Sequence, residues 1–142
     1  MDKLSYKLQN LNSAFQSLEL AYRYFTVELD KLSLSNNLDL KQINQDSVIQ
    51  RFEYTVELLW KYLREYIQVK FLIADLPSSP ACVFREALKV NLLSIEETEQ
   101  SLQMIKDRNL TSHTYKNEIA EDILSRMDNH IKLIKKIIKV VI

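Results

Sequence analysis

LSYKLQNLNSAFQSLELAYRYFTVELDKL, residues 4–32, decides the fold. Leu4, Leu8, Leu11, Phe15, Leu18, Tyr22, Phe25, Leu29 and Leu32 recur at alternating spacings of four and three without a miss. That repeat lays one apolar seam along a helix, and such a seam asks for an antiparallel helix crossing at a shallow angle. The spacing predicts a helix from about Lys3 to about Leu32, roughly 45 Å long.

Outward from this seam, residues 33–43 are rich in Ser, Asn and Asp and read as a loop. A partner helix is expected from Asn44–Asp46 to about Lys70. Val48, Ile49, Phe52, Tyr54, Val56, Leu58, Leu59, Trp60, Tyr62, Leu63, Tyr66, Ile67 and Val69 cover most of its circumference, leaving Gln50, Glu53, Glu57, Lys61, Arg64 and Gln68 as a narrow polar stripe. A helix apolar nearly all round needs cover on several sides, which motivates a homodimer. Pro77-Ser78-Ser79-Pro80 is the clearest break: Ser79 can cap, and Pro80 suits the first position of a helix reaching about Leu92. Ser94 and Glu97 have capping-box spacing and open a mostly polar helix ending near Asp107 to Asn109. With only Leu102 and Ile105 facing inward, it is expected at the periphery. The last helix should begin between Thr114 and Glu118 and run to the end, burying Ile119, Ile123, Met127, Ile131, Ile134, Ile137, Ile138 and Val141. No strand pattern or internal repeat competes, so the expectation is a single all-α domain over residues 1–142, an up-and-down bundle of four to five helices.

Composition narrows the function classes. The chain has no glycine, which excludes the P-loop and the glycine-rich dinucleotide fingerprint. Cys82 is the only cysteine, so neither an intrachain disulfide nor a thiolate metal cluster is available. No cofactor and no metal is expected: His113 and His130 form no recognisable metal motif. The polar N-terminus carries no signal-peptide pattern and no run approaches the ~20 apolar residues of a membrane span. A cytoplasmic protein without membrane contact is the expectation. Asn109-Leu110-Thr111 matches a glycosylation sequon that such a location leaves idle. The net charge is zero, so no overall field draws the molecule to nucleic acid. Residues 126–142 are locally basic, with Arg126, Lys132, Lys135, Lys136 and Lys139 against Asp128 alone. That suits a solvated helix face with cations at its C-terminus, or less readily a strip tracking phosphates.

Chemistry gathers in one stretch, Asp107-Arg108-Asn109-Leu110-Thr111-Ser112-His113-Thr114-Tyr115. In an unbroken helix Arg108 and His113 would diverge by about 140°. Asn109, tolerant of the left-handed C-terminal conformation, and the Thr and Ser residues after it supply a break. Arg108 could then hold phosphate oxygens, and His113, titrating near neutrality, could serve as general base or acid. Tyr115 could orient a phosphate or donate a proton. Cleaving RNA through its own 2′-hydroxyl needs two such groups, which two loops in a symmetric dimer would supply. Caps and surface ion pairs are the commoner use of these residues at a helix junction. His130, on the apolar face of the last helix, reads as a packing histidine, and Glu96 and Glu97 as helix-start acids.

Three blocks carry a resemblance: Asp46 to Lys61, Ser79 to Ala87, and Asp107 to Tyr115. Arg108, His113 and Tyr115 match the R-x4-H-x-Y motif of HEPN-domain proteins, and the three blocks together resemble the nucleotidyltransferase substrate-binding protein family, a branch of that superfamily. The resemblance implies a helical, HEPN-like homodimer beside a cognate minimal nucleotidyltransferase. In related toxin–antitoxin pairs it implies a metal-independent ribonuclease, with tRNA among its targets, that the partner silences by adenylylation. Carried over by position, Arg108 and His113 would be catalytic, Tyr115 the modification acceptor, and Asp107 and Asn109 supporting residues. The family's name marks the rival expectation, a non-catalytic subunit that presents a substrate to a nucleotidyltransferase; a purely structural helical dimer is the third.

Overall fold

The computed structural model of the chain describes the backbone of residues 2–35 and 38–142, and the side chains of residues 2–27 and 39–142. The seam folds as its spacing predicts. Helix α1 (Lys3–Ser35) buries Leu11, Phe15, Leu18 and Phe25 and half-buries Leu4, Leu8 and Tyr22. Leu29 and Leu32 lie outside the described side chains. Asp2 caps the helix, its Oδ1 accepting the Ser5 amide at 2.7 Å. Helix α2 (Leu38–Lys70) runs antiparallel against it. Across the hairpin the Thr55 hydroxyl donates to the Ala14 carbonyl (3.2 Å), Arg51 Nε donates to Ser17 Oγ (2.9 Å), and Lys7 pairs with Glu65.

The loop expected over 33–43 is not formed as such: α1 continues through Ser35 and α2 already begins at Leu38, leaving residues 36 and 37 outside the description. Ser, Asn and Asp are only mildly unfavourable in helices, and the packed hairpin overrides that preference. Gln42, for example, donates to Asp46 at 2.9 Å as a helix-surface pair. Most of the apolar girth of α2 is covered within the chain, though Tyr54 and Val69 stay exposed. Phe52, Val56, Leu59, Leu63 and Ile67 are buried, and the cover comes from α1 and from every later helix of the same chain.

After α2 the chain turns sharply at Leu72, in the left-handed region (φ 56) with its side chain 90% exposed. Arg64 fastens the connector by donating from Nε (3.0 Å) and a terminal nitrogen (2.6 Å) to the Leu76 carbonyl. Helix α3 (Pro80–Lys89) starts on an extended Ser79 with Pro80 in the first position. It stops before Leu92, where the sequence placed its end. Asn91 (φ 63) reverses the chain, its amide donating to the Leu88 carbonyl (3.1 Å) and that of Leu92 to Ala87 (2.9 Å). This is a Schellman ending with asparagine where glycine usually stands.

Helix α4 (Ile95–Asn109) opens with the expected capping box: Ser94 Oγ accepts the Glu97 amide (3.1 Å) and Glu97 Oε1 accepts the Ser94 amide (2.8 Å). It is not peripheral. Thr98, Ser101, Met104, Ile105 and Asp107 are buried, and α4 packs on α2, α3 and α6. The Thr98 and Ser101 hydroxyls donate within the helix to Ser94 and Glu97 carbonyls, both at 2.8 Å, so this polar face can be buried at little cost. The expected last helix is two pieces, α5 (Asn117–Ser125) and α6 (Met127–Val141), separated at Arg126 (φ −100, ψ −1). Among the described residues the bundle is all-α, with six α-helices where four to five were predicted.

Candidate functional site

The junction between α4 and α5 is an ordered turn. Leu110–His113 tighten into a single 3₁₀ turn, and the Leu110 amide is shared among the carbonyls of Lys106, Asp107 and Arg108. The expected left-handed Asn109 is not found: it stands exposed at the end of α4 with φ −67 and ψ −23, so tightening rather than reversal makes the interruption. Thr111 is buried, its hydroxyl 2.8 Å from Glu53 Oε2 and 2.7 Å from the Arg108 carbonyl. The Thr114 hydroxyl donates to the Thr111 carbonyl (3.1 Å), and the Lys116 amide to that of His113 (3.1 Å).

Arg108 turns toward α2. Its side chain is 31% exposed, a terminal nitrogen lies 3.2 Å from Glu57 Oε2, and its Nε is buried without a hydrogen-bond partner. Glu57 also accepts from Trp60 Nε1 (3.0 Å) and pairs with Lys61 (3.1 Å). Burial pushes the Glu57 carboxyl up, but the Trp60 and Lys61 hydrogen bonds and the charges of Lys61 and Arg108 outweigh it and hold the group below its ordinary value. Glu53 and Glu57 were legible only as a polar stripe on an apolar helix; their grip on the turn was not.

His113 and Tyr115 face away from the core. Tyr115 is 76% exposed, its ring centroid 6.2 Å from that of His113 and 6.0 Å from Lys116 Nζ. No hydrogen bond or ion pair joins Arg108 to His113 among the described residues. The structure pairs Arg108 with Glu57 and sets the His113 ring beside Tyr115.

Asp107 faces the core rather than the turn. It lies in the last turn of α4 and is fully buried, with Arg126 Nε 2.8 Å from Oδ2, an Arg126 terminal nitrogen 2.8 Å from Oδ1, and His130 Nε2 2.6 Å from Oδ2. An ionised carboxylate only accepts, so His130 Nε2 carries the shared proton. Burial pushes Asp107 up, yet the His130 and Arg126 hydrogen bonds prevail and hold it below the usual aspartate value. His130 is buried and stacks on Phe52 (centroids 5.2 Å apart), as a packing histidine should. Asp107 thus locks the end of α4 to the start of α6.

Among the described residues, no group of three or more His, Cys, Asp and Glu side chains could hold a metal ion, and no helix is long and apolar enough to cross a membrane. The family model described as nucleotidyltransferase substrate binding protein like matches residues 6–141. A Thermus thermophilus protein of known crystal structure is similar: 33% identical, with 87% of this chain and 98% of that chain covered at a TM-score of 0.69. A Haemophilus influenzae protein, described as revealing the fold of a substrate binding domain of a nucleotidyltransferase, is 25% identical, with 94% and 98% covered at a TM-score of 0.73. A search of curated proteins finds no match.

Proposed function

The chain belongs to the nucleotidyltransferase substrate-binding protein family, and from that premise we propose that it is the non-catalytic partner of a nucleotidyltransferase, presenting its 108–116 turn to that enzyme with Tyr115 as the acceptor. The exposure of Tyr115 carries this reading: a phenol 76% open to solvent, on a turn braced by Thr111 and Thr114, beside the cation of Lys116. In the step implied, Tyr115 Oη attacks the α-phosphorus of a nucleoside triphosphate held by the partner. The new O–P bond forms as the bond to pyrophosphate breaks, and the phenolic proton passes to a base or to water. Lys116 offers a positive charge to the arriving phosphate.

Incubating the chain with its nucleotidyltransferase and ATP should add one AMP by intact mass, and Tyr115→Phe should abolish the addition. Modification of Tyr115→Phe at the wild-type rate would overturn the reading.

A second reading is the metal-independent endoribonuclease, with His113 as the base on a 2′-hydroxyl and Arg108 stabilising the phosphorane. It calls for a homodimer, because two copies of the turn would supply both a general base and a general acid. The observation in its favour is a bare apolar stripe on α1, Leu20, Tyr24 and Val27, at helical spacing and suited to cover by a second copy. Light scattering should give twice the chain mass, and Tyr24→Glu should halve it. Cleavage of tRNA in EDTA that disappears in His113→Ala would favour this reading; a monomer that leaves tRNA intact would remove it.

A further inference from the structure

A second site is linked to the 108–116 turn through Glu57, which Lys61 shares with Arg108. We propose that the cleft between the N-terminal turns of α1 and the middle of α2 binds a nucleotide, either free or as the 5′-phosphorylated end of an RNA strand. The cleft encloses about 370 Å³; Tyr6, Leu58 and Tyr62 form its apolar lining, and Lys3, Lys7 and Lys61 stand around it. Tyr62 is buried, whereas Tyr6 keeps 59% of its surface open, a large exposed ring on an otherwise polar helix face. That volume suits one base and its sugar better than a protein helix.

The charge is right for a phosphate. An adjoining cleft of about 310 Å³ shares Lys3, Lys7 and Lys61 and adds Arg64. Two carboxylates answer these four cations: Glu65 pairs with Lys3 (3.8 Å) and Lys7, and Glu57 with Lys61 (3.1 Å). Glu57 is shared with Arg108 as well (3.2 Å), so the local excess is positive in a chain whose net charge is zero. Lys3 and Lys61 are exposed and Lys7 is partly so, and a phosphate arriving among the three adds an anion where the cations outnumber the carboxylates. A base stacks on an exposed aromatic ring whatever its identity, and lysines take the phosphate as point charges. The cleft is independent of the reading of Tyr115 as acceptor.

Trp60 is the only tryptophan, its ring centroid is 5.9 Å from Lys61 Nζ, and it lines the adjoining cleft, so its fluorescence reports on a ligand there. The purified chain would be titrated with AMP, ATP, inorganic pyrophosphate, and an oligoadenylate with and without its 5′-phosphate. A saturable change with AMP or ATP is expected, with affinity about tenfold weaker in Lys7→Gln and in Tyr6→Ala at an unchanged melting temperature. Tyr115→Phe should bind as the wild type does. Binding of AMP without the oligonucleotide identifies a free nucleotide; tighter binding of the oligonucleotide, dependent on its 5′-phosphate, identifies a strand end. No saturable response with any probe, pyrophosphate matching ATP, or undiminished affinity in both cleft variants would overturn the proposal, as would loss of binding in Tyr115→Phe.

Discussion

His113 and His130 stand 17 residues apart and occupy opposite environments. His130 is buried, stacked on Phe52 and fixed at 2.6 Å to Asp107; His113 is exposed on a 3₁₀ turn beside Tyr115. The same divergence separates adjacent residues. Asp107 points inward to α6, while Arg108, about 100° further round the helix, points to Glu57 on α2. The difference teaches how one stretch serves two ends. A buried ionic cluster fixes where α4 stops, and that fixed end holds out side chains with little structural duty of their own.

The most forceful way to break this contrast is Asp107→Ala, which strands His130 in the core and releases Arg126. Urea unfolding should show a loss of about 3–5 kcal/mol, the usual result of removing one partner from a buried charged pair. Acid sharpens the same point. Asp107 is held below the ordinary value of 3.8, so its contribution is complete above that value and drains away as pH falls through the lowered folded one. Thermal melts of Asp107→Asn should lose that acid limb and run flatter than wild type below pH 4. Glu57→Gln, in a half-exposed pair, should cost about 1 kcal/mol in urea and leave Arg108 less ordered. His113→Ala should shift stability by less than about 0.5 kcal/mol. A loss from His113→Ala as large as that from Asp107→Ala would erase the distinction between frame and presented tip.

The frame was legible where spacing alone decides it. The seam from Leu4 to Phe25 and the Ser94–Glu97 box needed no tertiary information. Arg126 was not legible: no Pro or Gly marks it, and the apolar period runs through it from Ile123 to Ile131. The break occurs where Asp107 holds Arg126 and His130 at once, a contact across 19 and 23 residues that local pattern cannot register. At the candidate site, the interruption after α4 followed from the Thr and Ser residues, though not through a left-handed Asn109. The burial of Asp107 did not, because a lone carboxylate beside an arginine looks like surface. Glu57 escaped for the converse reason: its stripe looked like solvent, yet it receives Arg108, Lys61 and Trp60.

Leu72 has a further consequence. It holds φ 56, a conformation that crowds a branched side chain and costs about 1–2 kcal/mol in most residues. Asn91 meets nearly the same geometry with a side chain that tolerates it, so the chain solves one problem well and the other badly. Without glycine, every tight reversal becomes a test of which side chain can bear it, and Leu72→Asn offers a single substitution that relaxes the backbone while leaving both the buried cluster and the presented turn untouched.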